Sequence, residues 1–142
     1  MMKANTRFPV AIHILAYTAM KGPGVTSEAL AESINTNPVV VRRLNARLKK
    51  AGLLTISNGP DGGASLSRPP EEISLLDVYQ AARADEDVLI FETPQHPNPD
   101  CPIGGHILEA MDKPFQEAQD AMKAILSHYS ISDIVACIRE KA

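Results

Sequence analysis

The sequence predicts a mainly α-helical chain with one small β-hairpin and one long helix that requires a partner. Three observations lead there. Residues 26–51 hold two helix-like segments separated by Asn35-Thr36-Asn37-Pro38, a break built from two Asx residues and a proline. Residues 53–57 and 65–67 are short β-prone runs around the turn-forming tip Asn58-Gly59-Pro60-Asp61-Gly62-Gly63. Between residues 108 and 129, apolar side chains recur at alternating steps of three and four, the spacing of a helix seam.

Thr6 can cap a first helix running to about residue 20, with Phe8, Ala11, Ile12, Leu15, Ala16 and Ala19 on its packed face. Pro9 is tolerated in the first turn, and Lys21-Gly22-Pro23-Gly24 ends the helix. His13, among apolar neighbours, reads as a packed or surface histidine rather than a ligand.

Thr26 and Ser27 are N-cap candidates for the next helix, and Glu28 suits its positive end. Leu30, Ala31 and Ile34 share one face of it. Pro38 sits in the first turn of a second, basic helix, where Val41, Leu44 and Leu48 form the buried stripe. Half a circle away lie Val39, Arg43, Ala46 and Lys50, flanked by Arg42, Arg47 and Lys49. Arginines read guanine edges or hold phosphates, and slim neighbours let a helix sink into the major groove. An ordinary solvated face would carry the same charges. The hairpin that follows tips the balance, because a tight glycine-rich tip with free N–H donors suits a minor groove or a phosphate backbone.

This is the pattern of a helix-turn-helix followed by a wing. The expected contacts to double-stranded DNA are Thr26, Ser27, Asn37, Pro38, Val39, Val40, Arg42, Arg43, Arg47 and Lys50 of the two helices, with Asn58, Gly59, Pro60 and Gly62 of the wing.

Beyond the wing, Arg68-Pro69-Pro70 ends the hairpin, since proline donates no ladder hydrogen bond. Ser74 caps a helix carrying Leu75, Val78, Tyr79 and Ala82 inward. Asp85-Glu86-Asp87 reads as a solvated turn and residues 88–91 as a short extended or buried run. A proline- and glycine-rich loop spans residues 93–105, and His96, Asp100, Cys101 and His106 fall in or beside it. A structural zinc site would show paired Cys or His at short recurrent spacing, which this loop lacks, so no metal and no cofactor is expected. Cys101, leading into the long helix, is a candidate sensor for a redox or electrophile signal, beside an unidentified small-molecule effector as the other possibility.

The seam Leu108, Met111, Phe115, Ala118, Met122, Ile125 and Tyr129 predicts a homodimer built on paired long helices. Pro114 predicts a kink or a restart capped by Asp112. Ser132 is expected to cap a last helix over residues 133–140, with Ile134, Cys137 and Ile138 on its apolar side and Cys137 a small buried hydrophobe. The expected organisation is a DNA-binding domain over residues 1–90 and a loop with a helical dimerisation region over 91–142.

At this point the residues carry a resemblance. The first helix over residues 8–20, INTNPVVVRRLNARLKKAGL, the wing GPDGGASLSRPP and the following EEISLLDVYQA together resemble the Rrf2 family of bacterial winged-helix transcription regulators. The run DCPIGGHI is similar to the subgroup without an iron–sulfur cluster; cluster-holding relatives use three cysteines in this region, where this chain has one. The resemblance implies a winged helix-turn-helix domain with a long dimerisation helix, and a regulator, most often a repressor, acting on a pseudo-palindromic operator.

Composition bounds the same picture. A chain of 142 residues suits one domain, or one small domain with an oligomerisation arm. It has no apolar stretch of about eighteen residues and no signal-peptide pattern at its N-terminus, so no membrane partner and a cytoplasmic location are expected. Two cysteines do not make a disulfide framework. The formal net charge of −3 would argue against nucleic acid, but its distribution reverses that. Nine of the 14 Lys and Arg lie in residues 1–70 with three of the 17 acids, leaving five bases and 14 acids in the remainder. Two other functions stand beside DNA binding: a protein-interaction module that uses the same helix and wing, and an enzyme using Cys101 with His96 or His106. The second lacks an orienting group and a cofactor loop, so no enzyme is expected.

Overall fold

The structure, a computed structural model, describes residues 6–83 and 93–142. The turn expected at 85–87 and the run at 88–91 lie outside the described residues. Six helices and one hairpin follow in order: α1 (Arg7–Lys21), α2 (Ser27–Ile34), α3 (Pro38–Lys50), β1 (Leu54–Ser57), β2 (Gly63–Leu66), a 3-10 turn (Pro70–Glu72), α4 (Leu75–Arg83), α5 (Ile107–Ser127) and α6 (Ile131–Lys141). The chain is mainly α with a two-stranded antiparallel hairpin, as the periodicities predict.

Local chemistry sets most boundaries. Thr26 is the N-cap of α2, its hydroxyl accepting the Ala29 N–H at 3.1 Å. Asn35 ends α2 in the left-handed region (φ 65°), a conformation that asparagine tolerates better than most residues. Asn37 then caps α3 by accepting the Val39 N–H at 2.8 Å, and Pro38 takes the first helical position. Ser74 and Asp77 cap α4 reciprocally, each backbone N–H donating to the other's side chain at 3.0 Å.

One buried cluster organises the molecule. Ile14 and Leu15 of α1, Leu30 of α2, Val41 and Leu48 of α3, Leu53 and Leu54 at the start of the hairpin, and Ile73 and Val78 all meet in it. Fully burying such a side chain stabilises by about 1.5–3 kcal/mol. On α1 the buried face runs through Ala11, Ile14, Leu15, Ala16 and Thr18, so Ile14 replaces Ile12, which is only partly buried. Phe8 sits edge-on to Tyr79 of α4, ring centroids 5.4 Å apart.

The C-terminal part departs from expectation in two ways. First, α6 starts two residues early: Ser130, not Ser132, is the cap. Its hydroxyl accepts the Asp133 N–H at 3.2 Å and the Asp133 carboxylate accepts the Ser130 N–H at 2.8 Å, a complete capping box. That shift turns Ile131 and Val135 into the core, while Cys137 is exposed and Ile138 is 40% exposed; Cys137 is not a buried hydrophobe. Secondly, α5 runs unbroken through Pro114, with no restart at Asp112. In addition, α6 packs back onto the core. Ile131 and Val135 share the cluster with α1 and α4, and the backbone seals the junction through Leu75 N–H to Tyr129 O and Ile131 N–H to Ile73 O, both 2.9 Å.

Candidate nucleic-acid interface

The hairpin is tied to both helices of the 27–50 unit. At the end of α3 the Leu53 N–H donates to the Leu48 carbonyl at 2.9 Å, and Gly52 makes the turn with φ 79°. The strands pair Leu54 with Leu66, Thr55 with Ser65, Ile56 with Ala64 and Ser57 with Gly63. Gly63 therefore belongs to the strand, and the tip is residues 58–62, closed by Gly62 N–H to Gly59 O at 3.0 Å. On its other edge β2 pairs with the segment just before α2: Val25 and Ala64 exchange backbone bonds of 2.9 and 2.7 Å, and the Gly24 N–H reaches the Ser65 hydroxyl at 3.2 Å. The wing is thus held in a fixed relation to the cap of α2 and the end of α3.

The structure sorts the expected contact residues into different settings. Val39, Arg42, Arg43 and Lys50 are exposed on α3, with Ala46 and Lys49 beside them, while Pro38 and Val40 are half-buried. Thr26 and Asn37 are exposed at the two helix starts, and Ser27 is half-buried. Asn58, Gly59 and Pro60 are exposed on the tip, whereas Gly62 packs closely on the Ser57 and Asn58 backbone. Arg43, Lys49 and Lys50 have no hydrogen-bond or ion-pair partner among the described residues. Arg47 differs from the expectation that it flanks the open face. It is half-buried and its Nη1 donates to the Ala82 carbonyl at 3.1 Å, fastening α3 to the last turn of α4. Missed by the sequence reading is Glu28, whose carboxylate accepts from Arg42 Nη2 at 2.8 Å. No periodicity signals a contact between residues fourteen positions apart on two different helices. Asn45, on the buried side of α3, leaves its Oδ1 without a hydrogen-bond partner among the described residues.

A two-helix unit with an open cationic face and a fixed glycine-rich hairpin beside it has the charge and shape that the backbone and groove of a duplex require. The family described as "Rrf2: Iron-dependent Transcriptional regulator" matches residues 4–137. The chain belongs to the Rrf2 family. That family is one of transcriptional regulators, not enzymes.

This Rrf2 chain is 45% identical over 131 residues to YwnA of Bacillus subtilis (strain 168), provisionally named an HTH-type transcriptional regulator, covering 92% of this chain and 96% of that protein. A solved structure provisionally described as a transcriptional regulator from Lactobacillus plantarum superposes with a TM-score of 0.76 at 27% identity, over 94% of this chain and 90% of that one. T. potens IscR shares the fold, with a TM-score of 0.70 at 20% identity, over 99% of this chain and 89% of that one.

The family's description implies iron, and the donor set here does not fit it. Iron–sulfur clusters are held by several thiolates. Here the loop before α5 supplies Cys101 alone, Cys137 stands on the exposed side of α6, and among the described residues no three His, Cys, Asp or Glu side chains gather at a metal-binding spacing. Cys101 is instead held in the 98–105 turn, where the Gly104 and then the Ile103 N–H groups pointing at its sulfur lower its pKa, against a smaller opposing effect of burial. His96, Asp100 and His106 are exposed around it. His13 is half-buried between α1 and α2, bonded to the Ser33 hydroxyl at 2.8 Å, and desolvation lowers its pKa from 6.5. Among the described residues no helix is long and apolar enough to cross a membrane.

Of the seam on α5, Leu108, Met111, Phe115 and Met122 are half-buried and Ala118 and Ile125 exposed; Tyr129 lies beyond the helix end and is exposed. In 21 residues α5 contributes none to the buried set.

Proposed function

We propose that this Rrf2 chain is a homodimeric repressor that reads a pseudo-palindromic operator, with α3 in the major groove and the 58–62 tip against the neighbouring backbone. The observation that carries the reading is the open face of α3, where Arg43, Lys49 and Lys50 are exposed beside slim Val39 and Ala46 and have no acidic partner among the described residues. Thr26, Ser27, Asn37, Pro38 and Val40 bring helix starts and backbone N–H groups to phosphates, and Arg42 and Arg43 reach base edges. Arg47 acts from behind, holding α3 on α4.

The dimer is supported by α5. A helix whose seam stays half wet in one copy gains most of its burial from a second copy, and a two-fold axis then places two recognition helices about one DNA turn apart. The acidic half of the sequence faces away from the duplex in this arrangement. Repression follows from occupancy of the operator. Cys101 is placed to modulate it, because its loop leads directly into α5.

The test is to recover bound fragments from a random DNA pool and measure salt-dependent retention. With about six to ten phosphates neutralised by the dimer, affinity should fall about 10³–10⁵-fold between 50 and 200 mM salt. Arg43→Ala should cost about 1–3 kcal/mol on the selected site and relax one position of it. Retention insensitive to both salt and Arg43→Ala would refute the reading and leave a protein-contact module.

A further inference from the structure

We propose that Glu28 is a positioning and specificity residue of the DNA-reading face: it holds Arg42 in one place and keeps the face from gripping arbitrary phosphate backbone. This rests on the DNA-binding reading above and adds to it a residue outside the expected contact set.

Glu28 stands in the first turn of α2 and Arg42 in α3, so their 2.8 Å bond crosses the two helices of the helix-turn-helix. Both side chains are more than half exposed, 67% and 56%. An exposed pair of this kind adds little to stability, so its consequence lies in where the charge is held. A guanidinium offers five N–H donors in a rigid fork. Glu28 engages Nη2, which leaves the remaining donors for a base edge in a fixed direction and spares Arg42 part of the freedom it would otherwise lose on binding.

The second effect is electrostatic. Arg42 is neutralised and Arg47 is engaged by the Ala82 carbonyl, whereas Arg43, Lys49 and Lys50 are unpaired among the described residues. The face is therefore divided between free cations that supply affinity for any duplex and a buttressed arginine that acts only where a base edge meets it. Without Glu28, Arg42 becomes one more mobile cation, and every sequence gains.

The experiment uses the full chain with two probes, an operator fragment recovered from the random pool and a random-sequence duplex of equal length. The variants are Glu28→Gln, Arg42→Ala and the double substitution. Glu28→Gln should steepen the salt slope on the random duplex by about one unit per protomer, so that between 200 and 50 mM salt it gains about tenfold more affinity than the parent dimer does. Operator preference should fall accordingly. In the Arg42→Ala background the same change should leave the preference where it was. Two results overturn the proposal: a slope and preference unchanged by Glu28→Gln, or an equal gain with and without Arg42, which would make Glu28 a lone repelling charge. A parent chain retained on neither duplex would instead sink the DNA-binding reading itself, a failure plainly distinct from these.

Discussion

Replacing Gly63 by alanine should loosen the whole proposed reading surface from a position outside the expected contact set. Gly63 has φ 150°, a region alanine adopts only with strain of about 1–3 kcal/mol. An added Cβ would also meet backbone, 2.6 Å from Gly24 C and Val25 O, and no side chain is there to move aside. Relief requires parting β2 from the 24–25 segment, which weakens the 2.9 and 2.7 Å bonds between Val25 and Ala64, each worth about 0.5–1.5 kcal/mol. The expected loss is about 2–6 kcal/mol. Gly59→Ala is the matched control, because Gly59 also has a positive φ of 102° but nothing within 4 Å of an added Cβ, so it carries strain alone. Urea unfolding of both variants, at unchanged m-value, isolates the backbone clash as their difference, about 1–3 kcal/mol. Val25 precedes the Thr26 cap, so Gly63→Ala should also lower DNA retention at temperatures where the variant remains folded. Equal stability of the two variants would refute the reasoning.

Met111→Asp places a charge in the seam of α5, and at about 3 kcal/mol for a desolvated, unpaired charge the dimer should weaken by at least about 10²-fold in sedimentation; a parent that sediments as a monomer ends the dimer proposal. His13 has a folded pKa below its unfolded value of 6.5, so the unfolded chain takes up the proton first as pH falls. The stability tied to His13 is therefore complete above that value and is lost progressively below it, and His13→Gln should flatten the fall in urea midpoint between pH 7 and 5. Cys101, with its pKa lowered by two backbone N–H groups, should react with iodoacetamide with a half-maximal rate at lower pH than in the urea-unfolded chain. If it is the sensor, alkylation releases the parent from operator DNA and spares Cys101→Ser; release of both alike, or of neither, makes it a loop residue.

Much of the fold was legible because its signals are local. The caps at Thr26 and Ser74, the proline in the first turn of α3, the stripe Val41-Leu44-Leu48 and the turn residues of the hairpin each act within a few positions, and the structure has them where the spacing puts them. What was misread depends on distant neighbours or on a choice between equivalent local signals. Ser130 and Ser132 are both serines before an apolar run, and only Asp133 at the third position of the earlier one, reaching back to its N–H, decides between them. Arg47 belongs to a basic face by sequence, but the open carbonyl of Ala82 at the end of α4 draws it inward. The pairing of Val25 with Ala64 joins residues 39 positions apart and has no periodicity to announce it. Glu28 was read as a helix-start acid, which it is; its second role needed α3 placed against α2.

The return of α6 to the core has a consequence for the integrity of the chain. Because Ile131 and Val135 are locked among residues from the other end of the sequence, the covalent path through the 93–106 loop is not what keeps the two ends together. A protease that severs this loop should leave two fragments that co-purify as one particle, separating only when the core itself melts, so that a nicked molecule would pass for an intact one until it is run under denaturing conditions.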